Sequence, residues 1–278
     1  MIKAIFFDID GTLVNNRSHA HPTTWEAIEA AQNKGVLCGV ATGRSPAKIK
    51  HLTDHLPLDM YVTYNGQLVL VNQQIVYQKA FSPEVLAEIV DFADKNKREI
   101  LFGGSDHLWG SRTVRWGNST AAKRLAAFVP KNLPLQKIKN WLPKSKSSRQ
   151  PHRYLNSGIL EKTVYQCILL SNEKEQVILT AALPNCSFQR SNPYSVDITP
   201  KGGSKIKGIK AFAEKNKIEL SEIMAFGDHY NDIEMLTQVG IGVAMGNAQA
   251  EVKAVADFVT HSNQEDGIAY ALKHYQVI

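Results

Sequence analysis

Apolar and polar positions along the chain fall into two alternating patterns. Continuous apolar runs, "IKAIFF" (2–7), "VLCGVAT" (36–42) and "MYVTYNG" (60–66), predict buried strands. Between them, apolar positions recur at helical spacing. Trp25, Ile28 and Ala31 predict a helix from Pro22 to a glycine stop at Gly35, and "SPAKIKHLTDHL" (45–56) predicts a second with Pro46 in its first turn. Near-continuous apolar strands separated by helices imply an α/β fold, a Rossmann-like parallel sheet covered on both faces.

The texture then changes. Residues 67–81, "QLVLVNQQIVYQKAF", alternate and turn back as a β-hairpin would, and Ser82-Pro83-Glu84 opens a helix with Val85, Ile89 and Phe92 on one side. Residues 100–190 mix short strands such as "VYQCILLS" with helices. After "NPYSVDITPKGG" (192–203) the first texture returns: a helix over 204–216, the strand "EIMAFGD", the helix "NDIEMLTQVG", and short strands "IGVAM" and "DFVT". The expected organisation is a core of residues 1–82 and 191–278, interrupted by an inserted α/β cap domain at 83–190.

Composition adds where the charge lies. The net charge of +6 divides unevenly: residues 83–190 hold 17 Lys and Arg against 9 Asp and Glu, the remainder 15 against 17. A basic insert suits anionic ligands. Its basic residues are scattered and accompany no nucleic-acid-binding motif, so nucleic acid is not the expected partner. No apolar run approaches the ~20 residues that cross a bilayer. Residues 2–7 are too short for a signal-peptide core, so a cytoplasmic protein without a membrane partner is expected. Cys38 and Cys167 lie in strand-like stretches and Cys186 in a loop-like one. Without metal-binding spacing, all three read as buried packing thiols.

Candidate chemistry gathers where predicted strands end. Asp8-Ile9-Asp10-Gly11-Thr12 follows "AIFF", Thr42-Gly43-Arg44 follows "CGVA", and Gly227-Asp228 with Asn231-Asp232 follows "IMAF". Lys201 to Lys205 follow "SVDIT" and open a helix. In an open α/β sheet, ligands bind beyond the carboxyl ends of the strands. Several carboxylates meeting there need a cation, and all-oxygen ligands favour Mg²⁺ together with a substrate phosphate.

These motifs, "DIDGTL" (8–13), "ATGR" (41–44), "YNG" (64–66), "ITPKGGSK" (198–205), "GDHYNDIEML" (227–236) and "AMGNA" (244–248), resemble those of the haloacid dehalogenase superfamily, in its Cof-type, subclass IIB group. The resemblance spans the chain and implies a Mg²⁺-dependent phosphatase. By it, Asp8 is the nucleophile that becomes an aspartyl-phosphate, and Asp10 is the acid and then the base. Asp8, Asp228 and the Asp10 backbone carbonyl are expected to hold Mg²⁺, with Asp232 in support behind them. Thr42, Gly43, Asn231 and Lys205 are expected at the phosphoryl group, with Arg44 on substrate or tied to a carboxylate. An aspartate at position 10 separates phosphatases from the superfamily's dehalogenases and phosphonatases.

Small phosphorylated metabolites are the expected substrates: sugar phosphates, flavin-pathway or cofactor phosphates, nucleotides. A monomer or homodimer is expected. A phosphotransferase or phosphomutase would share the intermediate. A non-catalytic phosphometabolite binder would have no use for Asp10. Elsewhere, His229 and Lys201 read as exposed, Asn65-Gly66 as the turn into the insert, and Gly246-Asn247 as a tight turn. His107, Trp109, Arg112, Arg115 and Trp116 form an aromatic and basic cluster in the insert.

Overall fold

The computed structural model describes residues 1–15, 19–53, 58–111, 152–192 and 194–278. The chain forms two compact units: Met1–Lys79, Gln189–Ser191 and Gly202–Ile278 make up the first, and Ala80–Phe188 with Asn192–Lys201 the second.

The first unit is built on an eight-stranded sheet. Its strands are β1 (Ala4–Phe7), β2 (Leu37–Ala41), β3 (Met60–Thr63), β4 (Leu68–Val71), β5 (Gln74–Gln78), β11 (Ile223–Gly227), β12 (Ile241–Ala244) and β13 (Phe258–Val259). They run in the order β13-β12-β11-β1-β2-β3-β4-β5. From β13 to β3 every neighbour is parallel; β4 and β5 add an antiparallel hairpin at one edge. The hairpin turns on Asn72 and Gln73, both at positive φ (48° and 64°), as a two-residue turn matched to strand twist requires.

Helices cover both faces: α1 (Pro22–Asn33), α2 (Pro46–Thr53), α5 (Lys205–Asn216), α6 (Ile233–Gln238), α7 (Ala250–Val255) and α8 (Gly267–His274). Alternation along β1 divides its side chains between the two sides. Ile5 and Phe7 join Ile28, Val40, Phe226 and Leu272 in one core, while Ala4 and Phe6 join Val62, Ile209, Phe212 and Met235 in the other. Double coverage is why these strands read as continuously apolar. Burying each phenylalanine contributes ~1.5–3 kcal/mol, enough to fix the register of the central strand.

The second unit is built on a five-stranded sheet ordered β7-β6-β8-β10-β9, antiparallel from β7 to β10, with the Gln189–Ser191 stretch of β9 grouped in the first unit. Its strands are β6 (Ile100–Gly103), β7 (Leu108–Gly110), β8 (Gln166–Leu170), β9 (Cys186–Asn192) and β10 (Ser195–Pro200). Helices α3 (Pro83–Lys95) and α4 (Gln176–Ala182) supply Leu86, Ile89, Val90 and Leu179 to its core. Ser82 caps α3 by accepting from the Val85 N–H.

Two expectations change. "SVDIT" is not a core strand. As β10 it pairs antiparallel with β8, Val196 opposite Leu169 and Ile198 opposite Cys167, and Asn192–Lys201 group with the second unit. Cys186 lies at the start of β9, not in a loop; like Cys38 and Cys167 it is a buried free thiol. Among the described residues, no helix is long and apolar enough to cross a membrane.

Candidate active site

β11, β1, β2 and β3 are consecutive and parallel, so their carboxyl ends share one edge of the sheet. Each ends in a polar turn. After β1 the chain winds back on itself: Leu13 N–H donates to the Asp8 carbonyl (3.1 Å), Val14 N–H to Ile9 (2.9 Å) and Gly11 N–H to Val14 (3.0 Å). Gly11 sits at φ +96°, and a Cβ there would lie 2.2 Å from Asp228 Oδ2. Both the backbone conformation and the space therefore demand glycine after Asp10. The next residue, buried Thr12, donates its hydroxyl to Asp228 Oδ1 (3.0 Å). Sequence reasoning assigned Thr12 no role, although its place beside the two aspartates was visible.

After β11, the Asp228 and His229 N–H groups donate to Asp232 Oδ2 at 2.9 and 3.0 Å. The other oxygen of Asp232 accepts from Lys205 Nζ at 2.5 Å. Lys205, first residue of α5, is wholly buried and makes a second 2.5 Å bond to Asp8 Oδ1. One ammonium thus joins Asp8 of the β1 turn to Asp232 of the β11 turn.

After β2, Thr42 is buried and its hydroxyl accepts from the Arg44 N–H (3.2 Å). The Arg44 guanidinium grips Asp10 with both arms, Nε to Oδ2 at 2.7 Å and a terminal nitrogen to Oδ1 at 2.6 Å. Of the two roles open to Arg44, the geometry shows the tie to a carboxylate. After β3, Tyr64 and Asn65 both take positive φ (51° and 52°). Their N–H groups donate to the Arg44 and Thr42 carbonyls, and Asn231 Nδ2 reaches Asn65 Oδ1 at 3.3 Å. Buried Asn65 thus joins the turns after β2, β3 and β11, beyond the simple turn expected of it. Gly43 completes the β2 turn beside Thr42.

His229 is half-buried, not exposed, with its ring edge-on to Tyr230 at 5.1 Å; burial lowers its pKa. Lys201 is exposed. In the second unit, His107 stacks over Trp109 at 6.4 Å. Arg112, Arg115 and Trp116 lie outside the described residues.

The electrostatics show an excess of negative charge. Burial, reinforced by the charges of Asp232 and Asp10, pushes Asp8 up to about 7 despite Lys205. Burial and the charges of Asp8 and Asp232 push Asp228 up to about 8, against the Thr12 hydrogen bond and Lys205. Burial alone would lower Lys205, but Asp232 and Asp8 outweigh it and hold the ammonium charged. Asp8, Asp228 and Asp232 bring oxygens within 4.8 Å of one another. Were all three carboxylates ionised beside one ammonium, two negative charges would remain; the raised Asp8 and Asp228 express that repulsion, which a divalent cation would relieve. Both Asp232 oxygens are already engaged, so Asp8 and Asp228 are the carboxylates placed for direct ligation. An all-oxygen set of this kind fits Mg²⁺.

Paired strand-end aspartates, a buried lysine and an acidic cluster that fits a cation lie at the carboxyl edge of this parallel sheet, and the chain matches the haloacid dehalogenase-like hydrolases. The model of that family matches residues 5–272, and the chain belongs to it. YkrA of Bacillus subtilis (strain 168), provisionally named a phosphatase, is 32% identical over 272 residues, covering 98% of this chain and 96% of its own. The B. subtilis 5-amino-6-(5-phospho-D-ribitylamino)uracil phosphatase YcsE is 27% identical over 278 residues, covering 99% and 96%. Among solved structures, the subclass IIB sugar phosphatase BT4131 superposes with a TM-score of 0.78 at 32% identity, covering 99% of this chain and all of the other. The chain is therefore a phosphatase of this family.

Proposed function

We propose that the chain is a Mg²⁺-dependent phosphatase of the Cof-type, subclass IIB group. On this reading it hydrolyses small phosphorylated metabolites through an aspartyl-phosphate on Asp8. One observation carries the proposal: Lys205 bridges Asp8 and Asp232 while Asp228 and Asp10 stand at adjoining loop positions. A binding protein would need the cation site but not a second, separately held aspartate two residues from the first.

In the first step an Asp8 oxygen attacks phosphorus as the bond to the leaving oxygen breaks, and Asp10 gives that oxygen its proton. In the second, Asp10 takes a proton from water, whose oxygen attacks phosphorus and frees Asp8 and inorganic phosphate. Lys205 holds Asp8 in place and offsets charge on the transferring phosphoryl group, with the Thr42 hydroxyl and Asn231 amide as further donors. Both Asp10 oxygens accept from Arg44, so proton delivery requires one of those bonds to open. Mg²⁺, held by Asp8, Asp228 and the Asp10 carbonyl with Asp232 behind, would neutralise phosphate charge and orient it for in-line attack. The second unit would act as the cap that selects the leaving group.

A panel of sugar phosphates, flavin-pathway and cofactor phosphates and nucleotides, assayed for phosphate release with Mg²⁺ or EDTA, tests this. Release is expected for at least one member, lost with EDTA and lost in Asp8→Asn. Activity that survives exhaustive chelation refutes the metal role. Phosphorylation of an added sugar without phosphate release would make the chain a transferase.

A further inference from the structure

The Asp8–Val14 loop is closed internally by its own backbone, but two of its carbonyls are taken by side chains from far along the sequence. Gly11 O accepts from Asn247 Nδ2 at 2.8 Å, and Val14 O accepts from Asn263 Nδ2 at 3.0 Å in a buried bond. The two asparagines are themselves joined, Asn263 N–H donating to Asn247 Oδ1 at 2.9 Å. Because Gly11 N–H also donates to Val14 O, the bonds form a closed ring. Both ends of the Asn247 carboxamide are used. Turned over, it would set NH₂ against an N–H and oxygen against a carbonyl, so its orientation is fixed.

Asn247 lies in the turn after β12, and that turn is anchored to the other half of the acidic cluster. Met245 N–H donates to Gly227 O (3.0 Å) and Gln249 N–H to Asp228 O (3.1 Å). The Gly246 N–H donates to His261 O (2.9 Å), and Lys253 Nζ holds Gly246 O at 2.5 Å. A Cβ on Gly246 would lie 2.7 Å from Ser262 N, so glycine is what lets the β12 and β13 turns meet. A tight turn needs only its own Ala248-to-Met245 bond. This one is tied to the loops after β1, β11 and β13.

We propose that Asn247 and Asn263 are positioning residues. Their linked amides set the loop of Asp8 and Asp10 at a fixed separation from Asp228, so that attacking oxygen, proton donor and the second acidic loop stay in register. They touch neither Asp8 nor Asp10 and act through the carbonyls of Gly11 and Val14. Only the kinetic half of the test rests on the phosphatase reading.

Asn247 is exposed, so its substitution spares the core. Asn247→Asp keeps the acceptor for Asn263 and loses the donor to Gly11; Asn247→Ala loses both; Asn263→Ser shortens the buried partner. Two quantities are measured: kcat and KM for p-nitrophenyl phosphate, and amide hydrogen exchange at Leu13 and Val14. The expected result is a kcat lower by ~10–100-fold, as for a small misplacement of reacting groups. KM should change far less, and exchange at both amides should be about tenfold faster, matching ~1.4 kcal/mol of lost protection. Asn247→Asp should resemble Asn247→Ala. Wild-type kcat in both Asn247 variants overturns the proposal, and so does a lowered kcat with unchanged exchange. If the unmodified protein turns over no phosphoester, the phosphatase reading fails separately, and exchange alone decides the positioning role.

Discussion

Lys205 is wholly buried between two carboxylates, and removing it leaves both without their counter-charge. Breaking a buried pair costs ~3–5 kcal/mol, because an uncompensated charge stays behind. Lys205→Met should therefore lose turnover and also melt well below the unmodified protein, measured by thermal denaturation in EDTA. An unchanged melting temperature would show that Asp8 and Asp232 are hydrated there. Arg44 makes the opposite case. Its partner Asp10 has a side chain 43% exposed, so water can compensate that carboxylate when the guanidinium is removed. Arg44→Ala should thus lower the melting temperature much less than Lys205→Met while lowering kcat, because Asp10 loses its bidentate hold. Asp10→Asn should lower kcat by ~10²–10⁴-fold, the range for a general acid and base. If Arg44→Ala matches the unmodified kcat, the grip on Asp10 has no part in turnover.

Single elements explain why some of this was legible in the sequence and some was not. β1, β2 and β11 announce themselves because strands covered on both faces must be apolar throughout, and their polar exits stand out by contrast. β10 misled because "SVDIT" has the same local texture as a core strand; only its pairing with β8 assigns it to the other sheet. Asp8, Asp10, Asp228 and Lys205 were visible as motif residues. Thr12, Asn247 and Asn263 bond backbone carbonyls or a carboxylate 216, 236 and 249 positions away, and no local pattern encodes such a partner. Within the second unit, one ion pair makes an element-level prediction. Arg98, in the loop after α3, binds Glu175, before α4, with bonds of 3.1 and 2.9 Å. Burial alone would raise Glu175, but the Arg98 guanidinium, with the Ser171 hydroxyl and Asn172 N–H, holds it below its usual value. A depressed carboxylate adds stability above its unfolded pKa of ~4.3 and loses it as pH falls through the lower folded value. Glu175→Gln should accordingly melt below the unmodified protein at pH 7, and the gap should close below about pH 4. A gap that persists in acid would assign the effect to packing.

At the scale of the whole molecule, each unit has its own sheet and its own apolar core, so an exchange of the second unit is a fair test of what it contributes. The ends of the exchanged segment decide whether the chimera folds. Cutting at 83 and 190 removes β8 and leaves β10 behind. Val196 and Ile198, both fully buried in the native sheet, would then have to pack on a foreign strand in place of β8. Where that foreign pairing fails, exposing each of these side chains costs ~1.5–3 kcal/mol, and an open apolar edge invites aggregation. Exchange of residues 80–201 moves the five-stranded sheet intact. Gln189 should be kept, because its amide donates to Gly203 O (2.9 Å) within the first unit. With a unit from a relative of different substrate range, the 80–201 chimera is expected to be soluble, to remain sensitive to EDTA, and to rank phosphometabolites by kcat/KM as the donor does. The 83–190 chimera is expected to aggregate or to melt far lower. If the 80–201 chimera keeps the original ranking, discrimination resides in the first unit, at the strand ends that carry Asp8, Arg44 and Asn231, and the second unit is not the selector.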